Sequence, residues 1–161
     1  MNLIVIDDVL VSPKDYVREA LSIGFQDIQD GDSVFHGIQV RQVDEFQVFV
    51  EEYFGGVYYT THNIIRQSPQ GQAEPNYIHT DEMMGDVVAL LYLNESHPLT
   101  DGTILYGSDK NKKCQVFMAF NRAVIFETRI PHSRAWYDNF GTGDSSRLVQ
   151  ALFLKRKEDA V

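Results

Sequence analysis

Cysteine is almost missing from this sequence: Cys114 stands alone among 161 residues. An internal disulfide and any cysteine-ligated zinc site are thereby excluded, and a reducing, cytoplasmic setting is the simple expectation. Basic residues are scarce as well, with 14 Lys and Arg against 23 Asp and Glu and a formal net charge of −9. That balance argues against a general affinity for phosphate backbones, so nucleic acid is not the expected partner. Long apolar runs are also lacking. The longest, Val87 to Leu93, falls far short of the roughly 20 residues that a bilayer-spanning helix needs, and no membrane partner is expected. The opening MNLIVIDD has neither a basic start nor a cleavage site and reads as a first strand rather than a signal peptide. Repeats, linkers and low-complexity stretches are missing too. With 43% hydrophobic and 23% charged residues, residues 1–161 are expected to form one domain around a single core.

What is present falls into two parts. Ser12-Pro13 opens a predicted helix, with Ser12 at the N-cap, Pro13 in the first turn and Asp15 facing the helix dipole. Val17, Ala20, Leu21 and Gly24 follow at helical spacing. A second helix is predicted over Asp44–Tyr53, where Phe46, Phe49, Val50 and Tyr53 make one stripe and Gly55-Gly56 ends it. Both stripes are read as packing against a sheet. After Gly56 the pattern changes to short runs rich in Val, Ile, Leu, Phe and Tyr: Val57–Ile65, Tyr77–Thr80, Asp86–Leu93, Thr103–Tyr106, Gln115–Phe117, Ala123–Phe126 and Arg147–Leu154. Gly, Pro, Asn and Asp separate them, which is the pattern of a β-sandwich or barrel. The expected fold is mainly β, α+β by content, with residues 1–56 as a helical support and 57–156 as the β-core.

The chemistry-bearing residues lie in that core. His79-Thr80-Asp81 ends one of the short runs, and in a strand residues two apart leave the same face. One imidazole and one carboxylate can thus meet a single ion. His132, remote in the chain, would complete a set of two His and one carboxylate with open positions opposite, a ligand set suited to non-haem Fe(II). An HxD string alone is weak, since a surface His beside a solvated Asp occurs often. The order HxD, several β-runs, His132, then Arg147 on the last run carries the weight. Arg147 presents a guanidinium that can clamp a carboxylate.

In these segments, YIHTDEM (77–83), VVALLYLN (87–94), DGTILY (101–106), NRAVIFET (121–128), PHSR (131–134) and SSRLVQALFL (145–154), the chain resembles the 2-oxoglutarate- and Fe(II)-dependent oxygenases, in particular their prolyl-hydroxylase-like branch. The resemblance runs from about Asn63 to Leu154. It implies a double-stranded β-helix, or jelly roll, with the two helices against one sheet. It implies that His79, Asp81 and His132 hold Fe(II), that Arg147 pairs with the distal carboxylate of 2-oxoglutarate, and that the Tyr92 hydroxyl bonds the same carboxylate. By itself Tyr92 reads equally as a core aromatic. The implied activity is a dioxygenase that hydroxylates a C–H bond, of an amino-acid side chain in a protein, peptide or small molecule.

The chain departs from the family pattern at two places. WYDNFGTGDSS lengthens the His132–Arg147 interval and is read as a loop at the pocket mouth. Val149 and Ala151 stand where many members carry Ser or Thr, so a hydroxyl toward the co-substrate would come from Thr103 or Tyr106. Arg66 reads as a salt-bridge partner, Arg134 and Trp136 as lining the mouth, Met83 and Met84 as gap fillers, and Asn76 and Glu82 as hydrogen-bond partners of the ligating imidazoles. His36, His62 and His97 lack ligand-like spacing. Two other functions remain open: a non-catalytic binding module on the same scaffold, and a cupin-type hydrolase or isomerase using zinc or manganese, in which Arg147 has no role.

Overall fold

The computed structural model describes residues 2–42, 47–135 and 138–158. Two antiparallel sheets face each other. The larger has seven strands in the order β1-β8-β5-β10-β4-β3-β2, and the smaller has three in the order β7-β6-β9. In chain order the elements are β1 (Leu3–Ile6), α1 (Pro13–Ile23), β2 (Gln26–Asp30), β3 (Ser33–Val40), α2 (Gln47–Phe54), β4 (Tyr58–Ser68), β5 (Val87–Tyr92), β6 (Gly102–Tyr106), β7 (Lys112–Phe117), β8 (Arg122–Glu127), β9 (His132–Arg134) and β10 (Arg147–Arg156). This is the jelly-roll architecture expected from the sequence, with both helices on one side.

Strand alternation sorts the core into two layers. On the outer face of the large sheet, Val87, Ala89 and Leu91 of β5, Ala123 and Ile125 of β8, and Leu148, Leu152 and Leu154 of β10 pack under α1 and α2. On the inner face, Val88 and Tyr92 of β5, Val124 and Phe126 of β8 and Phe153 of β10 meet Leu105, Val116 and Met118 of the small-sheet side. Central strands buried on both faces read as continuous apolar runs, which is why VVALLY carries no alternation. A polar latch sets the position of α1: the Tyr16 hydroxyl donates to Gln150, a fully buried residue of β10 whose amide donates in turn to Asn63 of β4.

Three expectations need correction. The first strand is observed as β1, paired with β8, but residues 1–56 hold more than that strand and two helices: β2 and β3 form a hairpin that extends the large sheet beyond β4. The hairpin escaped notice because QDIQD has a single apolar residue, although the Asp-Gly-Asp-Ser turn was readable and Gly31 takes φ 60° there. The 77–80 segment is not a strand either. It makes a single isolated bridge, His79 to His132, and no ladder on its other side. Ser12 precedes α1, but its side chain makes no capping bond. The predicted helix over 44–53 is observed as α2, while its first residues, Asp44 to Phe46, lie outside the described residues, as do Trp136 and Tyr137.

Among the described residues no helix is long and apolar enough to cross a membrane. The large sheet depends most on the outer layer that carries the helices. Leu152, at 0% exposure in the middle of β10, is expected to cost about 2–5 kcal/mol when truncated to alanine. Urea denaturation of Leu152→Ala measures this.

Candidate metal centre

His79, Asp81 and His132 converge. Their ligand atoms all lie within 4.8 Å of one another. β9 brings His132, and the 79–81 segment is sewn to it by paired backbone bonds, His79 N–H to the His132 carbonyl at 3.0 Å and the reverse at 2.9 Å. A third bond, Asp81 N–H to the Thr128 carbonyl at 2.9 Å, turns the carboxylate toward the same point. The segment therefore behaves locally like a strand beside β9 even though its far edge is unpaired.

Hydrogen bonding settles the tautomers. Nδ1 of His79 donates to the Tyr77 carbonyl and Nδ1 of His132 to the Ile130 carbonyl, both at 2.9 Å. Each Nε2 then presents a lone pair. His132 Nε2 lies 3.0 Å from one Asp81 oxygen and His79 Nε2 lies 3.5 Å from the other. A cation between the two lone pairs and the carboxylate would satisfy all three at once. Bonds of about 2.1 Å at right angles put neighbouring ligand atoms about 3 Å apart, so the residues present fit a facially coordinated divalent ion. His132 is buried against the Phe126 ring, while His79 keeps a third of its side chain exposed, so the centre opens on the His79 side. The expected partners Asn76 and Glu82 do not hold the imidazoles; backbone carbonyls do, and sequence carries no signal for those.

Behind the centre the interior between the sheets is polar. Register places Leu105 opposite His132 and Thr103 opposite Arg134, so His132 and Arg134 leave β9 on one inward face. The Tyr92 hydroxyl bonds Thr103 Oγ1 at 2.6 Å, and burial, opposed by that bond, pushes the Tyr92 phenol up to about 12. Arg147 is buried, and its Nε donates to Asp101 at 2.9 Å. Asp101 is held by the Gly102 N–H, which donates to its carboxylate at 2.7 Å, and Gly102 takes φ 150°, where a Cβ would collide with the Val116 carbonyl. Tyr106 does not join this group: its hydroxyl bonds Ser133, which leaves β9 on the opposite face from His132 and Arg134.

Sequence reading missed two acids, Asp101 and Glu74. Glu74 is buried and bridges Arg66 at 2.6 Å and Arg134 at 3.0 Å, with Ser68 and Asn139 donating to it as well. Burial raises its carboxyl, but Arg66 and the side-chain donors prevail and hold it below the usual range. Burial pushes Arg134 down to about 10, and the charge of nearby Arg147 adds to that. Both acids sit in loops, where no periodicity marks a buried carboxylate. The long 135–146 loop is not simply a mouth hairpin, since Asn139 supports Glu74 and Phe140 packs on the inner core. Met84 also joins that core, whereas Met83 is fully exposed. His36 pairs with Asp27, His62 meets Phe153 edge to face, and His97 bonds the Pro98 carbonyl, all apart from the centre. A cavity of about 600 Å³ between α1 and the 94–98 loop is lined by none of the three ligands and plays no part in the site.

No family model and no curated protein sequence matches the chain. Solved structures share its fold. The non-heme alpha ketoglutarate dependent epimerase SnoN from nogalamycin biosynthesis superposes with a TM-score of 0.70 at 11% identity, over 96% of this chain and 78% of its own. A prolyl hydroxylase from Trichoplax adhaerens, in complex with a hypoxia inducible factor peptide fragment, gives 0.65 at 15% identity, over 96% and 83%. A 2OG-Fe(II) oxygenase family oxidoreductase from Burkholderia pseudomallei gives 0.65 at 12% identity, over 98% and 87%. At these identities the likeness establishes the jelly-roll fold common to such oxygenases.

Two outcomes are expected from this geometry. His79→Ala and His132→Ala should each lose tight binding of Mn(II) or Fe(II), measured by calorimetry under anaerobic conditions, because two ligands no longer define a facial set. Glu74→Gln should destabilise the protein by about 1–3 kcal/mol at neutral pH, since two partly buried guanidiniums lose their counter-charge. With its folded pKa depressed, Glu74 contributes stability above the ordinary glutamate value of about 4.3 and loses it as pH falls through the lower folded value. The gap between wild type and Glu74→Gln should therefore narrow below about pH 4, as read from denaturation midpoints across pH.

Proposed function

We propose that this protein is an Fe(II)- and 2-oxoglutarate-dependent dioxygenase that hydroxylates a C–H bond. The observation that carries the reading is the convergence of two Nε2 lone pairs and one carboxylate, with both Nδ1 atoms committed to backbone carbonyls, on a jelly roll whose solved counterparts include such oxygenases. Two imidazoles and one carboxylate leave coordination positions for a bidentate co-substrate and oxygen, and the half-exposed His79 side gives access to them.

The chain's own residues divide the remaining work. His79, Asp81 and His132 would hold the ion. Bound Fe(II) and 2-oxoglutarate would supply the oxidising chemistry, in which decarboxylation to succinate places one oxygen atom in succinate and one in the product. Arg147 offers its terminal guanidinium nitrogens to the distal carboxylate while Asp101 fixes Nε and so the plane of the fork. The Tyr92–Thr103 hydroxyl pair lies on the same inner face and supplies a neutral donor. Thr103 thus stands in for the hydroxyl that Val149 and Ala151 lack, and Tyr106, turned to Ser133, drops out of the set. Apolar Phe126, Phe153 and Leu105 surround the polar group and keep water out of it.

The substrate is proposed to be an amino-acid side chain, presented free or within a peptide. The prolyl-hydroxylase-like branch is favoured by the YLN and PHSR segments. Tyr77, 61% exposed and 5.1 Å from the His79 ring, is the surface aromatic such a substrate would meet first.

The test is succinate formation from 2-oxoglutarate with Fe(II), screened against amino acids and peptides. Activity should vanish in His79→Ala. Arg147→Ala and the milder Tyr92→Phe should weaken 2-oxoglutarate by about 100-fold and 10-fold, the losses expected for a charged and a neutral donor to a buried carboxylate. Unchanged affinity in Arg147→Ala would remove the co-substrate assignment.

A further inference from the structure

The inner face of β9 carries a second cation beyond its metal ligand. Arg134 lies two residues after His132, on the same face, opposite Thr103, whose hydroxyl touches Tyr92. Its terminal nitrogens are used: one bonds Glu74 at 3.0 Å and the other Asn139 at 2.7 Å. Its Nε, by contrast, is buried and has no partner. An unpaired buried donor on a charged group is costly. Arg147 shows the complementary arrangement, with Nε taken by Asp101 at 2.9 Å.

Two further observations point the same way. Among the described residues three buried side-chain polar atoms lack partners: Asn76 Nδ2, Arg134 Nε and Ser146 Oγ. All three can donate, and each lies within three residues of a candidate site residue, His79, His132 or Arg147. Buried orphan groups are uncommon, and the Arg134 Nε, a donor on a charged group of the inward face of β9, calls for an acceptor. The charges agree. Arg66, Arg134 and Arg147 share the interior with Glu74 and Asp101, which leaves one positive charge uncompensated. A divalent ion with the single carboxylate Asp81 leaves another. With such an ion bound, the excess of positive charge would suit a dianion.

We infer that Arg134 is a second carboxylate-binding residue for the co-substrate, donating through Nε to the distal carboxylate that Arg147 meets from the opposite sheet. The inference rests on the co-substrate reading above and goes beyond it by naming a residue on the metal-bearing strand. Glu74 and Asn139 then act as positioning residues, since they hold the end of the Arg134 side chain and aim its Nε inward. The site would select a 2-oxo acid with a second carboxylate over one of equal length without it.

The experiment measures binding to the Mn(II)-loaded full-length protein by calorimetry, with 2-oxoglutarate and 2-oxopentanoate as the two ligands. The second acid keeps the chelating end and the chain length but ends in a methyl group. Arg134→Gln should weaken 2-oxoglutarate by at least tenfold and leave 2-oxopentanoate within about threefold, with Mn(II) affinity unchanged. Equal weakening of both ligands would show that Arg134 only supports the centre, and no weakening of either would show that it does not reach the ligand. Each result overturns the inference alone. A wild-type protein that fails to prefer 2-oxoglutarate overturns the co-substrate reading and this inference together. Should Arg134→Gln not fold, Arg134→Lys keeps the charge beside Glu74 but has no Nε donor, and the same comparison of two acids decides.

Discussion

The pair of backbone hydrogen bonds between His79 and His132 is the contact on which the rest of the site depends. It joins a segment with no ladder of its own to the shortest strand of the small sheet. Because the two residues sit opposite each other in antiparallel register, their side chains leave on the same side, and the rings come to 4.4 Å. A one-residue slip would turn one imidazole to the opposite face. The slip is opposed by Asp81 N–H on the Thr128 carbonyl and by the Thr128 hydroxyl on the Gly85 carbonyl, which pin the segment at its far end.

The two sheets share the remaining work unequally. The large sheet is held by its outer layer, where helices cover Leu, Val and Ile side chains and the energy is hydrophobic. Its inner layer is apolar around Phe126 and Phe153 but gives way to Tyr92, Arg66 and Arg147 farther along the strands. Such an interior is stable only if each charge has a partner. Glu74 and Asp101 meet that need from loops, one serving the two arginines nearer solvent and the other the arginine that is most buried. The same pairing orients the guanidiniums, so the residues that make the polar interior tolerable also aim it.

The β-core was legible where strands are buried on both faces. VVALLY, RAVIFE and RLVQALFL are apolar and bounded by turn residues, and their boundaries moved by only a residue or two. The hairpin over 26–40 was not legible, because β2 is a polar edge strand and β3, though paired on both sides, buries only Ile38 and Gln39. Among site residues, the HxD string and His132 stood out by residue type and order. Glu74 and Asp101 did not, since a carboxylate in a loop looks the same whether it is solvated or paired with buried arginine. Arg134 was read as a mouth residue because the strand it occupies is three residues long and has no pattern to reveal an inward face.

Local sequence determined which segments become strands, where α1 begins, and which side chains are able to bind a metal ion or a carboxylate, because those properties reside in single residues and their immediate spacing. Tertiary structure alone decided that two imidazoles share one face, that their Nδ1 atoms are spent on backbone carbonyls, and that Arg134 and Arg147 approach each other from opposite sheets. Those facts depend on register between strands distant in the chain and on which carbonyls lie at the end of a bend, and neither is a property of any stretch of sequence read by itself.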